Sequence, residues 1–289
     1  GVELRIHGIA KGGDGVGRSA DGRVVFVRAA LPGDVVRVEV VSEKKRFANA
    51  RVVELLSRAE GRAEPACRHV ADGCGGCDFQ HATLPRQREL TADIVCDALE
   101  RIARIDDAQV SLAGGVDGAG YRTTVQCAVV GGKAGFRGFR SDQRVTTPDC
   151  TIAHPRIQQL MAEADFGAAD EVFVRVGAHT GDMNIVISPS AGAFEAADAT
   201  VAGADELRSG RSVFIREVAA GREWRVSAGS FFQSSPQAAE LLVEIVGGYL
   251  GALASDVTMC DLYSGVGLFS ATVAGAARVV AVEVSRSAI

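Results

Sequence analysis

Apolar and polar residues alternate from Val2 to Ile6, and β-branched runs follow at Arg23–Arg28 and Val35–Val41. Gly8–Gly17 between them holds too many glycines for a helix, and Leu31-Pro32-Gly33-Asp34 reads as a turn. A period of two sends successive side chains to opposite faces of a strand. Several such runs broken by Gly and Pro predict a small β-barrel. From Gln87 to Ile105 the period lengthens: Leu90, Ile94, Ala98, Leu99, Ile102 and Ile105 fall at helical spacing, with Cys96 among them. Alternation returns at Thr123–Val130, Gly135–Arg140, Glu171–Val176, Met183–Ser188, Arg211–Glu217 and Glu223–Ser227, which predicts an antiparallel middle domain. Pro236–Leu250 is an amphipathic helix. Val257–Leu262 is a short apolar strand, followed by glycines, an alanine-rich helix through Ala276 and a second apolar strand at Arg278–Val284.

That last sequence of elements is a βαβ unit of the doubly wound, Rossmann-like kind. One such unit cannot bury both faces of a parallel sheet, so the domain is expected to be incomplete at Ile289, and the lack of Met at Gly1 points to trimming there as well. The expected architecture is an α/β multidomain protein. An N-terminal OB-like barrel occupies 1–58, a central α+β domain 59–228 and the opening of a Rossmann-like domain 229–289.

Composition narrows the function. Apolar residues make up 47% and charged residues 23% of 289 positions, enough for a folded core and two or three domains. No apolar run reaches the ~18 residues of a membrane-spanning helix, and no signal peptide pattern opens the chain, so a cytoplasmic protein without membrane association is expected. The net charge of −5 argues against nucleic acid, but residues 1–51 hold ten Lys/Arg against six Asp/Glu, so a basic barrel precedes an acidic remainder. Such asymmetry suits an arm that meets phosphates while the rest does chemistry.

Seven cysteines are an odd count, unsuited to a disulfide framework. Cys67, Cys74 and Cys77 fall within eleven residues, and Gly75-Gly76 lets the chain fold back so that the last two face one centre. The fourth ligand is sought among Cys96, Cys127, Cys150 and Cys260. Cys150 follows Thr147-Pro148-Asp149 in a loop free to swing, whereas the other three sit in a helix or in strands and read as core. Zinc and a cubane cluster both accept four thiolates. A thioredoxin-like redox pair at Cys74 and Cys77 lacks its helix-start, βαβ context.

Asp261-Leu262-Tyr263-Ser264-Gly265-Val266-Gly267 joins an apolar strand to a helix, where glycines admit a ligand close to the backbone. The third glycine of a dinucleotide site is replaced by Ser270, which disfavours a dehydrogenase. Glu283 ends the next strand, where an acidic residue meets ribose hydroxyls. Asp261 suits a cofactor with a cationic amino-acid end, so S-adenosylmethionine is favoured over NAD.

Taken in order, these motifs resemble the TrmA/RlmD-like RNA uridine-5 methyltransferases. Gly12-Gly13-Asp14-Gly15-Val16-Gly17-Arg18 and Ala30-Leu31-Pro32-Gly33-Asp34 look like a TRAM domain, an RNA-binding barrel. Cys74-Gly75-Gly76-Cys77 with Phe79-Gln80-His81 resembles the family's 4Fe–4S segment, whose distant fourth ligand matches Cys150 before Ile152-Ala153-His154-Pro155. Tyr121-Arg122 resembles the start of the family's middle domain. Phe231-Phe232-Gln233 resembles the segment before the methyltransferase domain, which implies a cofactor contact at Gln233. The resemblance also implies an aromatic contact at Tyr263 and a ribose contact at Glu283.

Ser264 and Leu268 stand where many or some members have Cys and Asn. The family's Asp-Pro-Pro-Arg segment, its Ser-Cys-Asn-Pro segment with the nucleophilic cysteine, and its general-base glutamate are absent, so catalytic residues are expected beyond Ile289. Cys260, on its strand before the cofactor loop, is expected to point into the core. The implied reaction moves a methyl group from S-adenosylmethionine to C5 of a uridine, in 23S rRNA by preference or tRNA otherwise, by a monomer. Thiolate addition at C6 would activate C5, and the base would leave its stack. The alternatives are a non-catalytic RNA-binding protein with a vestigial methyltransferase fold and a redox protein using Cys74 and Cys77. Phe136-Arg137-Gly138-Phe139-Arg140 interleaves aromatic and basic residues, as an RNA contact would, but reads first as an ordinary hairpin.

Overall fold

The computed structural model describes residues 1–288 and divides the chain into two compact units, Gly1–Ala113 and Gly114–Ile289. In the first, β1 (Val2–Ile9), β2 (Gly15–Arg18), β3 (Val24–Arg28), β4 (Val35–Glu43) and β5 (Phe47–Ser57) close a barrel in the order β1-β2-β3-β5-β4. The alternation seen in the sequence does the sorting: Leu4, Ile6, Val25, Val27, Val36 and Val38 point inward into one core with Ala48 and Ala50. Three register shifts between β4 and β5 bend the longest pair around the barrel.

Helix α1 (Leu84–Arg101) follows and buries Leu90 against Ile9, Leu31 and Ala82. It begins and ends earlier than the expected Gln87–Ile105. Pro85 sits in the first turn, where its missing N–H costs nothing. Beyond Arg101, Ile102 and Ile105 are exposed and Arg104 adopts a positive φ of 59°, so the periodic residues at that end have no core to meet.

In the second unit, β6 (Thr124–Val130), β7 (Lys133–Arg137), β8 (Arg144–Thr146), β9 (Glu171–Val176), β10 (Met183–Ser188) and β11 (Thr200–Gly203) form a six-stranded sheet in the order β11-β10-β9-β6-β7-β8. The antiparallel expectation needs correcting at one place: β11 runs parallel to β10, with Ile185 opposite Val201, because residues 189–199 carry the chain back before it re-enters the sheet. Two helices also went unpredicted. Helix α2 (Pro155–Glu163) starts at His154, whose ring accepts the Arg156 N–H, and buries Ile157 and Met161 on the sheet; α3 is a single short stretch, Ala204–Arg208. The expected strand at Gly135–Arg140 ends at Arg137, where the chain turns. Arg137 pairs with Glu171 on β9 and with Asp142 in the turn, and Arg140 stacks on Phe139.

A separate hairpin, β12 (Phe214–Ala219) and β13 (Arg222–Ser227), is followed by α4 (Pro236–Leu250) and then by a parallel pair, β14 (Thr258–Leu262) and β15 (Arg278–Val282), joined through α5 (Leu268–Thr272). One core joins the hairpin, α4 and α5: Ile215, Trp224, Val226, Phe232, Ala239 and Leu268. Helix α5 stops at Thr272, short of the expected Ala276, because the chain turns at Gly275 with φ +55°. Among the described residues no helix is long and apolar enough to cross a membrane.

Candidate cofactor loop and cysteine segment

The strands β14 and β15 place the loop between them. Asp261 pairs with Ala281 and Leu262 with Val282 in register, so the chain leaves β14 beside the end of β15. Tyr263 turns the corner at φ 63° with its ring 90% exposed. The Ser264 N–H donates to the Val282 carbonyl (3.0 Å), and the Gly267 N–H to the Ser264 carbonyl (2.8 Å). Gly267 caps α5 in the left-handed region at φ 84°, a conformation that favours glycine. A Cβ there would meet nothing closer than Ser270 at 3.9 Å, so backbone geometry rather than space calls for glycine.

The two acidic groups have different partners. Glu283 Oε2 accepts the Gly265 N–H at 2.8 Å, and Oε1 accepts the Val284 and Ser285 N–H groups at 2.8 and 2.6 Å. The Ser285 amide first, then that of Gly265, hold its carboxyl below the ordinary value. Asp261 is buried, and its Oδ2 accepts both the N–H (3.0 Å) and the hydroxyl (2.5 Å) of Ser270. It therefore fastens the first turn of α5 to β14. Ser270, the residue that breaks the dinucleotide glycine pattern, has this structural use, which the pattern alone did not reveal.

Gln233 is half-buried, two residues beyond a backbone stretch that lies on the loop: a Cβ on Gly265 would stand 3.9 Å from the Phe231 carbonyl. Phe232 fixes that stretch by packing with Leu268. Leu268 is thus a core residue here. Cys260 departs from expectation. It is exposed, on a strand that among the described residues pairs only with β15.

The cysteine segment belongs to the first unit. Cys67 precedes a single 3-10 turn, Arg68–Val70, and the Cys74 N–H donates to the His69 carbonyl at 2.9 Å, which closes the loop. Arg28 on β3 donates to the Cys77 carbonyl (3.3 Å) and Asp78 (3.0 Å), and Gly13 lies so close that a Cβ would meet Asp78 at 2.8 Å. The glycines of the β1–β2 turn therefore make room for this segment. Burial pushes the Cys74 thiol up, and the neighbouring Cys77 and Cys67 add to the rise. Gln80 donates to the Cys77 sulfur at 3.7 Å. No three His, Cys, Asp or Glu side chains among the described residues are gathered as a metal-binding set. Cys150 is buried in the second unit, in the loop between β8 and α2.

Two buried groups were missed by sequence reasoning. Glu217, 1% exposed, accepts the Ala178, His179 and Val218 N–H groups and the His179 ring. Arg175 on β9 is also buried, and burial pushes its guanidinium down to about 10. Nothing in a strand's alternation distinguishes an inward arginine from an outward one.

Residues 2–53 match the TRAM domain. A Streptomyces avermitilis protein described as an uncharacterized RNA methyltransferase is 34% identical over 299 residues, covering 94% of this chain and 69% of that protein. The chain belongs to the TrmA/RlmD-like RNA methyltransferase family. Within the family, the Halomonas elongata 23S rRNA (uracil(1939)-C(5))-methyltransferase RlmD is 37% identical over 165 residues, 55% of this chain and 34% of that one. Pyrococcus abyssi tRNA (uracil-54, C5)-methyltransferase, solved with S-adenosyl-L-homocysteine, superposes with a TM-score of 0.58 at 21% identity, covering 92% of this chain and 69% of that chain. At that identity the likeness is one of fold: a TRAM barrel and a methyltransferase-like architecture. The chain spans about two thirds of the length of the Streptomyces and Corynebacterium relatives it matches.

Proposed function

We propose that this chain carries the RNA-binding and cofactor-binding parts of an RNA uracil-C5 methyltransferase, with 23S rRNA as the favoured substrate and tRNA the other. The observation that carries it is the bond between Gly265 N–H and Glu283. It ties the glycine loop after one parallel strand to an acidic residue ending the next, the arrangement that receives an adenosine ribose. In this reading Glu283 accepts the ribose hydroxyls, the exposed Tyr263 ring meets the base, and Gln233 and Asp261 address the amino-acid end. Gly265 and Gly267 let the backbone approach. When bound, S-adenosylmethionine supplies an electrophilic methyl group on a sulfonium; the residues here bind and orient it. The nucleophilic cysteine and general base of the family have no counterpart motif in this sequence.

The domain division of the proposal is barrel 1–58, central domain 59–228 and methyltransferase domain from 229. Although the side chains are not gathered as a metal-binding set, Cys67, Cys74 and Cys77 are soft donors of the kind a 4Fe–4S cluster or zinc takes, and family resemblance is what supports them as ligands with Cys150 as the fourth. The proposed reaction transfers no electrons, so such a centre would serve structure or RNA contact in a monomeric, cytoplasmic enzyme.

The test is anaerobic incubation of the intact protein with methyl-labelled S-adenosylmethionine and unmethylated 23S rRNA or tRNA, followed by nucleoside identification. Label in 5-methyluridine supports the reading and names the RNA. Label in another nucleoside rejects the C5 chemistry, and cofactor binding without label favours a non-catalytic RNA-binding protein. Iron and sulfide analysis of the same sample decides between cluster and zinc.

A further inference from the structure

Arg175 is 5% exposed, and none of its hydrogen-bond partners is a carboxylate. Its Nε donates to Thr124 Oγ1 (3.2 Å), Nη1 to the Ser227 carbonyl (2.5 Å) and Nη2 to the Ser230 carbonyl (2.9 Å). Its Cζ also lies 5.2 Å from the centre of the Phe173 ring, but burying a guanidinium without a carboxylate is costly, so its placement calls for a reason. Directly opposite it on β10, Asn184 is fully buried with neither amide atom partnered. The guanidinium bonds instead to two carbonyls of one turn.

That turn joins β13 to the Phe231–Gln233 stretch, and it continues into the cofactor loop by hydroxyl contacts. Ser227 and Ser230 share a 2.5 Å hydrogen bond, Ser230 donates to Ser287 (3.3 Å), and Ser287 bonds Ser285 (3.0 Å). The Ser285 N–H then donates to Glu283. Contact at the crossing is close, since a Cβ on Gly229 would stand 3.2 Å from Ser287 Oγ. We propose that Arg175 is a positioning residue for the cofactor loop: by clamping the Ser227–Ser230 turn it sets, through Ser287 and Ser285, the Glu283 carboxylate against Gly265. The benefit to cofactor binding rests on the function proposed above; the mechanical link does not.

The experiment compares Arg175→Gln, Arg175→Lys and Ser287→Ala in the intact protein. It measures S-adenosylhomocysteine affinity by calorimetry and amide hydrogen exchange at Gly265 and Ser285, with the Ile6 amide in the barrel as reference. Arg175→Gln is expected to weaken binding about tenfold, the equivalent of one lost hydrogen bond to a charged group. Exchange at Gly265 and Ser285 should quicken while Ile6 is unchanged. Arg175→Lys, which keeps the charge but cannot bridge two carbonyls, should rescue only part. Ser287→Ala should shift the same readouts less, and the double variant should fall short of the sum. Unchanged affinity and exchange in Arg175→Gln and in Ser287→Ala would overturn the proposal, as would quickening spread equally to Ile6. If Arg175→Gln does not fold, Ser287→Ala decides by the same readouts. A wild-type protein that binds no S-adenosylhomocysteine, yet whose Gly265 and Ser285 amides respond, would reject the cofactor reading and keep the link.

Discussion

The barrel and the β14–β15 pair are both made of short apolar strands, but they obtain their shape from different sources. Every barrel strand is paired on both sides, and its inward apolar residues close over one shared core. Among the described residues β14 and β15 pair only with each other, and Leu262 and Val282 are 63% and 51% exposed. Apolar residues on both faces are the mark of parallel-sheet strands. Packing therefore defines the barrel unit, whereas carboxylates define the loop: Asp261 holds α5 and Glu283 holds Gly265. Damage to the first should be read in unfolding; damage to the second should be local.

The largest effect should come from the buried Asp34–Arg62 ion pair of the barrel unit. Asp34 is fully buried and accepts the Leu31 and Ala59 N–H groups and a two-nitrogen contact from Arg62. Burial pushes its carboxyl up, but Arg62 and the two amides outweigh this and leave it below the ordinary value. Arg62→Met strands that charge and should cost about 3–5 kcal/mol in denaturant unfolding. A loss below ~1 kcal/mol would mean that the amides suffice.

A smaller effect is expected with pH. Burial, reinforced by Arg62 and Arg28, pushes His81 from 6.5 to about 4, so the folded protein keeps it neutral. The unfolded chain takes up the proton first. This histidine's contribution is thus fully present above 6.5 and is lost as pH falls toward about 4, at up to ~1.4 kcal/mol per pH unit. His81→Gln should flatten stability against pH across that window, and an unaltered profile would sink the idea. Smallest is Gly267→Ala, at φ 84°. It should cost ~1 kcal/mol and be confined to the second unit, as exchange at loop and barrel amides would report.

How far these regions were legible in the sequence follows the same division. The β-branched runs Arg23–Arg28 and Val35–Val41 disclosed two barrel strands, Val24–Arg28 and Val35–Glu43, because such residues between Gly and Pro turns suit a pleated strand. The glycine loop and Glu283 were legible because a tight turn and an acidic strand end leave marks in sequence. Strand β11 left none: its pairing with β10 is parallel, four residues long and made across an intervening loop. Helix α2 has only two inward residues, Ile157 and Met161, too few to establish a period. The serine bonds from Ser227 to Ser285 were invisible for a plainer reason. Serine is common, and its partners are chosen by tertiary approach.

Barrel closure also constrains the order of events when the chain folds. Val2 pairs with Val38, and β3 meets β5 in parallel with β4 intervening. Such contacts must bear the entropy of closing a loop before any stabilisation arrives. Helix α1, built from bonds four residues apart, carries no such delay. The barrel should therefore form late, and in a single step, so that a nascent chain has either its whole basic surface or none of it.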